Sequence, residues 1–197
     1  MDGAELFSKC LAQATVVVKQ VRPEHYANAT PCDDWHVADL LDHLLAELHM
    51  VPQLLAGDTV DPGFDEDDGD ENVMDKNDID LSVNWQAAAD IAEAASNQAD
   101  PDELAHPASG TVSNDSYLHQ IATDLLVHSW DLAVAIGMPI VFAPDCALAA
   151  YDHARSPDTA LPADDVTTVP LSIAENAPIQ SKLLALQGRS PDWRTAG

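Results

Sequence analysis

Apolar residues recur at three- and four-residue steps along most of this chain, the period of a helix with one buried face. Between residues 4 and 22, Leu6, Cys10, Ala14, Val17, Val18 and Val21 form one such stripe, and Pro23 then allows continuation only as a new turn. The turn Thr30 to Trp35 precedes a second helix from about Val37, with His36 or Asp34 as N-cap. Asp39 falls in its first turn, where the helix dipole favours negative charge. Leu40, Leu41, Leu44, Leu45, Leu48, Val51 and Leu55 give this helix a wide apolar stripe, and Gly57 ends it. A third helix is expected over about Leu81 to Asn97, with Val83, Ala87, Ile91 and Ala94 along one face, until Asp100-Pro101 breaks it. Residues 101–114 read as an irregular crossing. A fourth helix is expected from Asn114 to Ile136, its stripe made by Leu118, Ile121, Leu125, Leu132 and Ile136, and Gly137-Met138-Pro139 stops it.

The remainder is weaker in pattern. Residues 57–80 carry almost no apolar side chains and read as a solvated acidic loop. From Pro139 to Gly197 the chain reads as an appendage: a short helix from Pro144 to Arg155, an extended piece from Val166 to Leu171, and a last helix from Pro178 to Leu186 capped by Gly188. A single domain over residues 1–197 follows from the length. Four main helices with long connections predict an all-α fold, a four-helix bundle with a helical and irregular C-terminal appendage.

Charge narrows the partners. Eight basic residues against 34 acidic ones give a formal net charge of −26, Asp far outnumbering Glu. The long-range field repels nucleic acid and anionic membranes, so neither is an expected partner. An Asp-rich, Lys-poor surface is also what solubility at high salt favours, because screening relieves its self-repulsion. The melting temperature is therefore expected to rise between low and molar salt. An unchanged value in a thermal scan would refute that reading. No apolar run approaches the length of a membrane span, and the first residues lack the pattern of a signal peptide, which together predict a cytoplasmic protein. Cys10, Cys32 and Cys146 are odd in number and widely spaced, which argues against a disulfide framework and a thiolate metal site.

The candidate chemistry lies on the two longest helices. Asp124 and His128 are four residues apart, a turn of about 40°, which places a carboxylate and an imidazole on one helical face. Together they can grip a divalent metal ion, with His43 of the second helix as a third ligand across the bundle. Two imidazoles and one carboxylate leave positions open for water and substrate. Glu47, one turn after His43, forms a rival pair with it and serves either as an alternative ligand or as a base. Asp131 lies on the Asp124 side of its helix and is a candidate to orient a ligand from behind. An ordinary Asp–His core pair is the competing account of Asp124 and His128. Trp35 and Trp130 read as packing residues, Trp35 as a cover over the start of the second helix; His49 reads as a surface residue, His119 lies off the Asp124 face, and His36 and His153 have no evident partners.

Three segments carry a family resemblance. The run from Thr30 to Leu44 resembles the entry to the second helix of the mycothiol-dependent maleylpyruvate isomerase N-terminal-domain family, one of the DinB-like metal-binding bundles. Asp124 to Ala133 is similar to its second motif, and Leu183 to Trp193 resembles the ending of its stand-alone members. The resemblance implies a DinB-like four-helix bundle holding one metal ion, Zn or Ni foremost, on His43, Asp124 and His128. It implies mycothiol, or another low-molecular-weight thiol, as a cofactor. The isomerase carries Glu where this chain has Asp124, and nothing here matches its C-terminal domain.

Two classes of function follow. One is a metal- and thiol-dependent transferase or isomerase acting on a small-molecule substrate. The other is a non-catalytic, stress-associated metal-binding bundle, with a metal-dependent hydrolase as a further alternative. A homodimer is compatible with either.

Overall fold

The computed structural model describes residues 1–32, 35–59, 81–156 and 169–194, with side chains of the third segment from residue 84 onward. Six α-helices form there: α1 (Gly3–Val18), α2 (Val37–Leu55), α3 (Leu81–Ser96), α4 (Asn114–Ala135), α5 (Pro144–Ala154) and α6 (Ile179–Leu186). The only strands among the described residues are β1 (Leu104–Ala105) and β2 (Val112–Ser113), an antiparallel pair. The architecture is an all-α bundle. None of the described helices is long and apolar enough to cross a membrane. The acidic stretch lies outside the described residues from 60 to 80, and the first half of the extended piece expected from 166 to 171 lies outside them as well.

Each long helix starts and stops for a local reason. Asp2 caps α1, its carboxylate accepting from the Glu5 backbone N–H at 2.8 Å. The helix ends at Val18, a turn sooner than its stripe suggests, and Pro23 opens a single 3-10 turn instead. His36 is the N-cap of α2, and its backbone N–H donates to Asp39 Oδ2 at 2.9 Å. Ser113 caps α4 by accepting from the Ser116 N–H at 3.2 Å.

Helix α4 is the centre of the bundle and is buried around most of its circumference. It packs most extensively against α1, also against α5 and α2, while α2 pairs with α3 and α5 with α6. The stripes of α1 and α2 are in the core as expected, with Val21 and Leu45 half-buried at the margin. On α4 the stripe holds except for Ile136, half-buried beside the stop.

Helix α3 corrects the sequence reading. Ala87, Ile91 and Ala94 face solvent, and Trp85, Ala88, Ala89, Ala92 and Ser96 are buried instead. The helix is so rich in alanine that apolar periodicity barely distinguishes its faces. Trp85 decides the orientation, because one indole buries far more area than an alanine row. Its Nε1–H donates to Thr15 Oγ1 on α1 at 2.8 Å, which fixes the rotation of α3. The stretch before α4 is also more regular than an irregular crossing, since β1 and β2 pair there and Asn114 Nδ2 donates to the Asp100 carbonyl at 3.0 Å.

The α1–α4 contact depends on a glycine. A β-carbon at Gly3 would stand 2.4 Å from the Asp115 carbonyl oxygen and 3.0 Å from Leu118 Cβ. The Gly3 N–H donates to Asp115 Oδ1 at 2.7 Å, so the two backbones cannot part without losing that bond. Gly3→Ala is expected to cost about 1–2 kcal/mol of overpacking strain, seen as a lower urea midpoint with an unchanged m-value.

Candidate functional site

The segment leading into α2 is tied down bond by bond. Thr30, itself buried, donates through Oγ1 to the Trp35 carbonyl at 2.9 Å and accepts there from the Cys32 N–H at 3.1 Å. The Val37 N–H donates to the Asn28 carbonyl at 3.0 Å, and Asn28 Nδ2 reaches the Ala135 carbonyl at the end of α4 at 2.9 Å. These contacts set Trp35 over the face where α2 and α4 meet.

Two imidazoles lie beneath that indole. His43 and His128 approach edge to face with ring centroids 5.2 Å apart. The Trp35 ring is 4.8 Å from His43 and 6.2 Å from His128, nearly parallel to the latter. Trp35 is therefore more than a cover for the start of α2. It is the apolar wall over both histidines. Trp130 is buried in the core, in keeping with its packing role.

His128 is oriented from behind. Its Nδ1 is 3.1 Å from Asp131 Oδ2, and Asp131 is fully buried. A carboxylate only accepts, so Nδ1 carries the proton in this bond, and in a neutral ring the lone pair then lies on Nε2. Arg189, from the segment after α6, donates to the same Oδ2 through Nε at 3.2 Å and Nη2 at 3.1 Å.

Two further acids sit in the cluster. Glu47, on the turn after His43, is buried, with Oε1 3.4 Å from His43 Nε2 and Oε2 without a hydrogen-bond partner among the described residues. Burial, reinforced by the nearby charge of Asp124, raises the Glu47 carboxyl well above the usual range. Burial also raises Asp124, against the opposing pull of His128 and then Arg189. His43 is pushed down to about 4 by burial and by the charge of His128. Both members of the His43–Glu47 contact are thus driven toward their uncharged forms. The Tyr117 hydroxyl on α4 is buried without a partner and is raised by burial, then by Glu47 and Asp124.

The fold brings His43, Glu47, Asp124, His128 and Asp131 into one cluster between α2 and α4. As they stand, no three His, Cys, Asp or Glu side chains among the described residues are grouped so as to hold a metal ion. The donor set nevertheless fits a divalent cation in kind. It offers two imidazoles and two carboxyl groups raised by burial, Asp124 and Glu47, the latter with a buried oxygen that has no hydrogen bond among the described residues. Gathering them on one ion requires side-chain rotation.

Other expectations about histidines change. His153 is stacked on His119 with ring centroids 4.9 Å apart, and His36 lies 3.5 Å from Asp39 through Nδ1. Sequence reasoning did not find Trp35, Tyr117 or Arg189 as members of the cluster. Arg189 alone left a signal: a rare cation in an acidic chain, directly after the capping Gly188.

A family model described as the mycothiol maleylpyruvate isomerase N-terminal domain matches residues 7–133. The chain is also similar to an uncharacterized protein of Mycobacterium tuberculosis, in strain CDC 1551 / Oshkosh and again in strain ATCC 25618 / H37Rv. In each case it is 26% identical over 159 residues, covering 79% of this chain and 79% of the relative. No solved structure matches the chain.

Proposed function

The chain belongs to the mycothiol maleylpyruvate isomerase N-terminal domain family, and from that premise we propose that it binds one divalent metal ion, Zn or Ni, and uses it in thiol-dependent transfer or isomerisation. His43, Asp124 and His128 would hold the ion, with Glu47 beside them. The observation that carries this reading is the constellation itself: two imidazoles 5.2 Å apart next to two acids whose carboxyls burial raises, one of them with an oxygen that has no partner among the described residues. Such a set is costly in a core unless something pairs with it.

A bound divalent ion supplies the positive charge that stabilises a thiolate near neutral pH. The chain's own groups supply the rest. Trp35 shields the imidazoles from water on one side. Asp131 holds the His128 Nδ1 proton and so leaves Nε2 as a donor. Glu47 Oε2 is the unpartnered atom available for proton exchange beside the ligands, and its raised carboxyl holds a proton more tightly than an ordinary glutamate.

Cobalt substitution tests the proposal. The Co(II) protein is expected to show visible ligand-field bands that mycothiol, or a simpler thiol, shifts while adding sulfur-to-metal charge-transfer absorption. Bands indifferent to every thiol would rule out thiol chemistry and favour a metal that only stabilises the bundle. Failure to take up cobalt, zinc or nickel would sink the metal as well.

A further inference from the structure

Resting on that metal-site reading, we propose that Arg189, delivered by the C-terminal segment, is a positioning residue of the site: it fixes the Asp131 carboxylate so that Oδ2 faces His128 Nδ1 and His128 Nε2 is presented as the donor. The residue lies beyond the stretch 7–133 matched by the family model, in the part of the chain that reads as an appendage.

Three features support this assignment. The first is how α6 ends. Gly188 has φ +71°, its N–H donates to the Ala185 carbonyl at 3.1 Å, and the Arg189 N–H donates to the Leu184 carbonyl at 2.8 Å. This is a Schellman ending, and it turns the chain sharply back after the helix. Leu183, Leu184 and Ala185 are buried, so the helix that aims Arg189 is itself anchored in the core.

The second is the bonding of Asp131. Three donors converge on Oδ2: Arg189 Nε at 3.2 Å, Arg189 Nη2 at 3.1 Å and His128 Nδ1 at 3.1 Å. Oδ1 is buried and has no partner among the described residues. Among the described residues no other group bonds the carboxylate, so its rotation rests on Arg189 and His128. Two charge-assisted guanidinium N–H bonds to the one oxygen hold Oδ2 in place more firmly than a single donor would.

The third is that Arg189 is itself held. Its Nη1 donates to the Gln187 carbonyl at 2.9 Å, its side chain is 11% exposed, and it contacts Cys32 in the turn that carries Trp35. The guanidinium is committed to the site's interior and is not free to clamp a substrate. Groups that orient metal-binding histidines through their far nitrogen typically change metal affinity by about 10–100-fold when removed.

The test uses the full-length, metal-free protein labelled with 15N. Long-range imidazole spectra of the wild type are expected to show His128 with Nδ1 protonated and Nε2 bare. In Arg189→Met the expected result is a mixed or reversed tautomer, together with a roughly 10–100-fold loss of zinc affinity. In Arg189→Lys, which offers one donating centre in place of two, recovery is expected to be partial. A wild-type tautomer in Arg189→Met would overturn the proposal. If Arg189→Met does not fold, Arg189→Lys decides: a wild-type tautomer with wild-type zinc affinity overturns the proposal, and a mixed tautomer with weakened affinity supports it. Absence of zinc binding by the wild type would sink the metal reading, while the tautomer of the metal-free protein still reports what Arg189 does to His128.

Discussion

Glu47→Met is expected to make the metal-free protein more stable by about 1–3 kcal/mol while lowering zinc affinity roughly 10–100-fold. Glu47 is buried in α2, one carboxyl oxygen has no partner, and both burial and Asp124 oppose its ionisation. A buried polar group without its hydrogen bond costs free energy that an apolar side chain of similar length does not. Methionine matches glutamate in length and adapts to irregular space. Stability and metal binding are therefore set against each other at this position, as in sites that give up stability to keep a function. Urea unfolding with a chelator reads the first effect and calorimetric zinc titration the second. A variant that lost stability without metal would show that Glu47 already has a satisfied place in the core.

The second large effect is a pH dependence whose sign zinc reverses. In the metal-free protein the folded-state values of Glu47 and Asp124 lie above those of the unfolded chain. The stability they contribute is present below the ordinary carboxylate range and is lost as pH rises through their raised values. His43 and His153 act in the opposite sense. Each is pushed from 6.5 down to about 4, so the stability from keeping them neutral is present above 6.5 and is lost as pH falls toward 4. Below pH 6.5 the two sets oppose each other and flatten the curve. On the alkaline side only the acids contribute, and stability falls for as long as they continue to ionise. Zinc needs deprotonated ligands, so its stabilisation grows with pH and its binding releases protons. Urea melts from pH 5 to 8, with chelator and with zinc, are expected to give slopes of opposite sign above the histidine range. Removing Glu47 is expected to flatten the chelator curve. Parallel curves would contradict the assignment of these acids to the metal.

Much of the fold was readable because leucine and valine are informative when they alternate with polar residues. The stripes of α1, α2 and α4 are in the core, and the termini fall where Asp2, His36 and Ser113 cap and where Gly57 and Gly137 turn the chain. Where the pattern carried less contrast the reading failed. The alanines of α3 look alike on every side, and one tryptophan bonded to Thr15 chose the face. The hairpin of β1 and β2 is two residues wide, too short for any alternation to register.

The cluster was readable only along its helices. Helical spacing puts His43 with Glu47 and Asp124 with His128. It says nothing about what reaches them from elsewhere in the chain. Trp35 arrives through the bonds made by Asn28, Thr30 and Val37, and Arg189 through a turn 58 residues beyond Asp131. These are long-range contacts made by tertiary folding, with no local period to announce them. The resemblance supplied the histidines and Asp124 as a trio. The structure adds that Glu47 is as deeply placed as any of them, and that His128 is held by the Asp131 carboxylate of its own helix and, through it, by a guanidinium from the C-terminal segment.

The central claim is that the space between α2 and α4 is a metal site, and zinc titration by calorimetry on the wild type beside a His43→Ala/His128→Ala double variant tests it most directly. One zinc is expected per wild-type chain, with affinity at least about 100-fold weaker in the double variant. Equal affinity in the two proteins, or no zinc bound by the wild type, would contradict it.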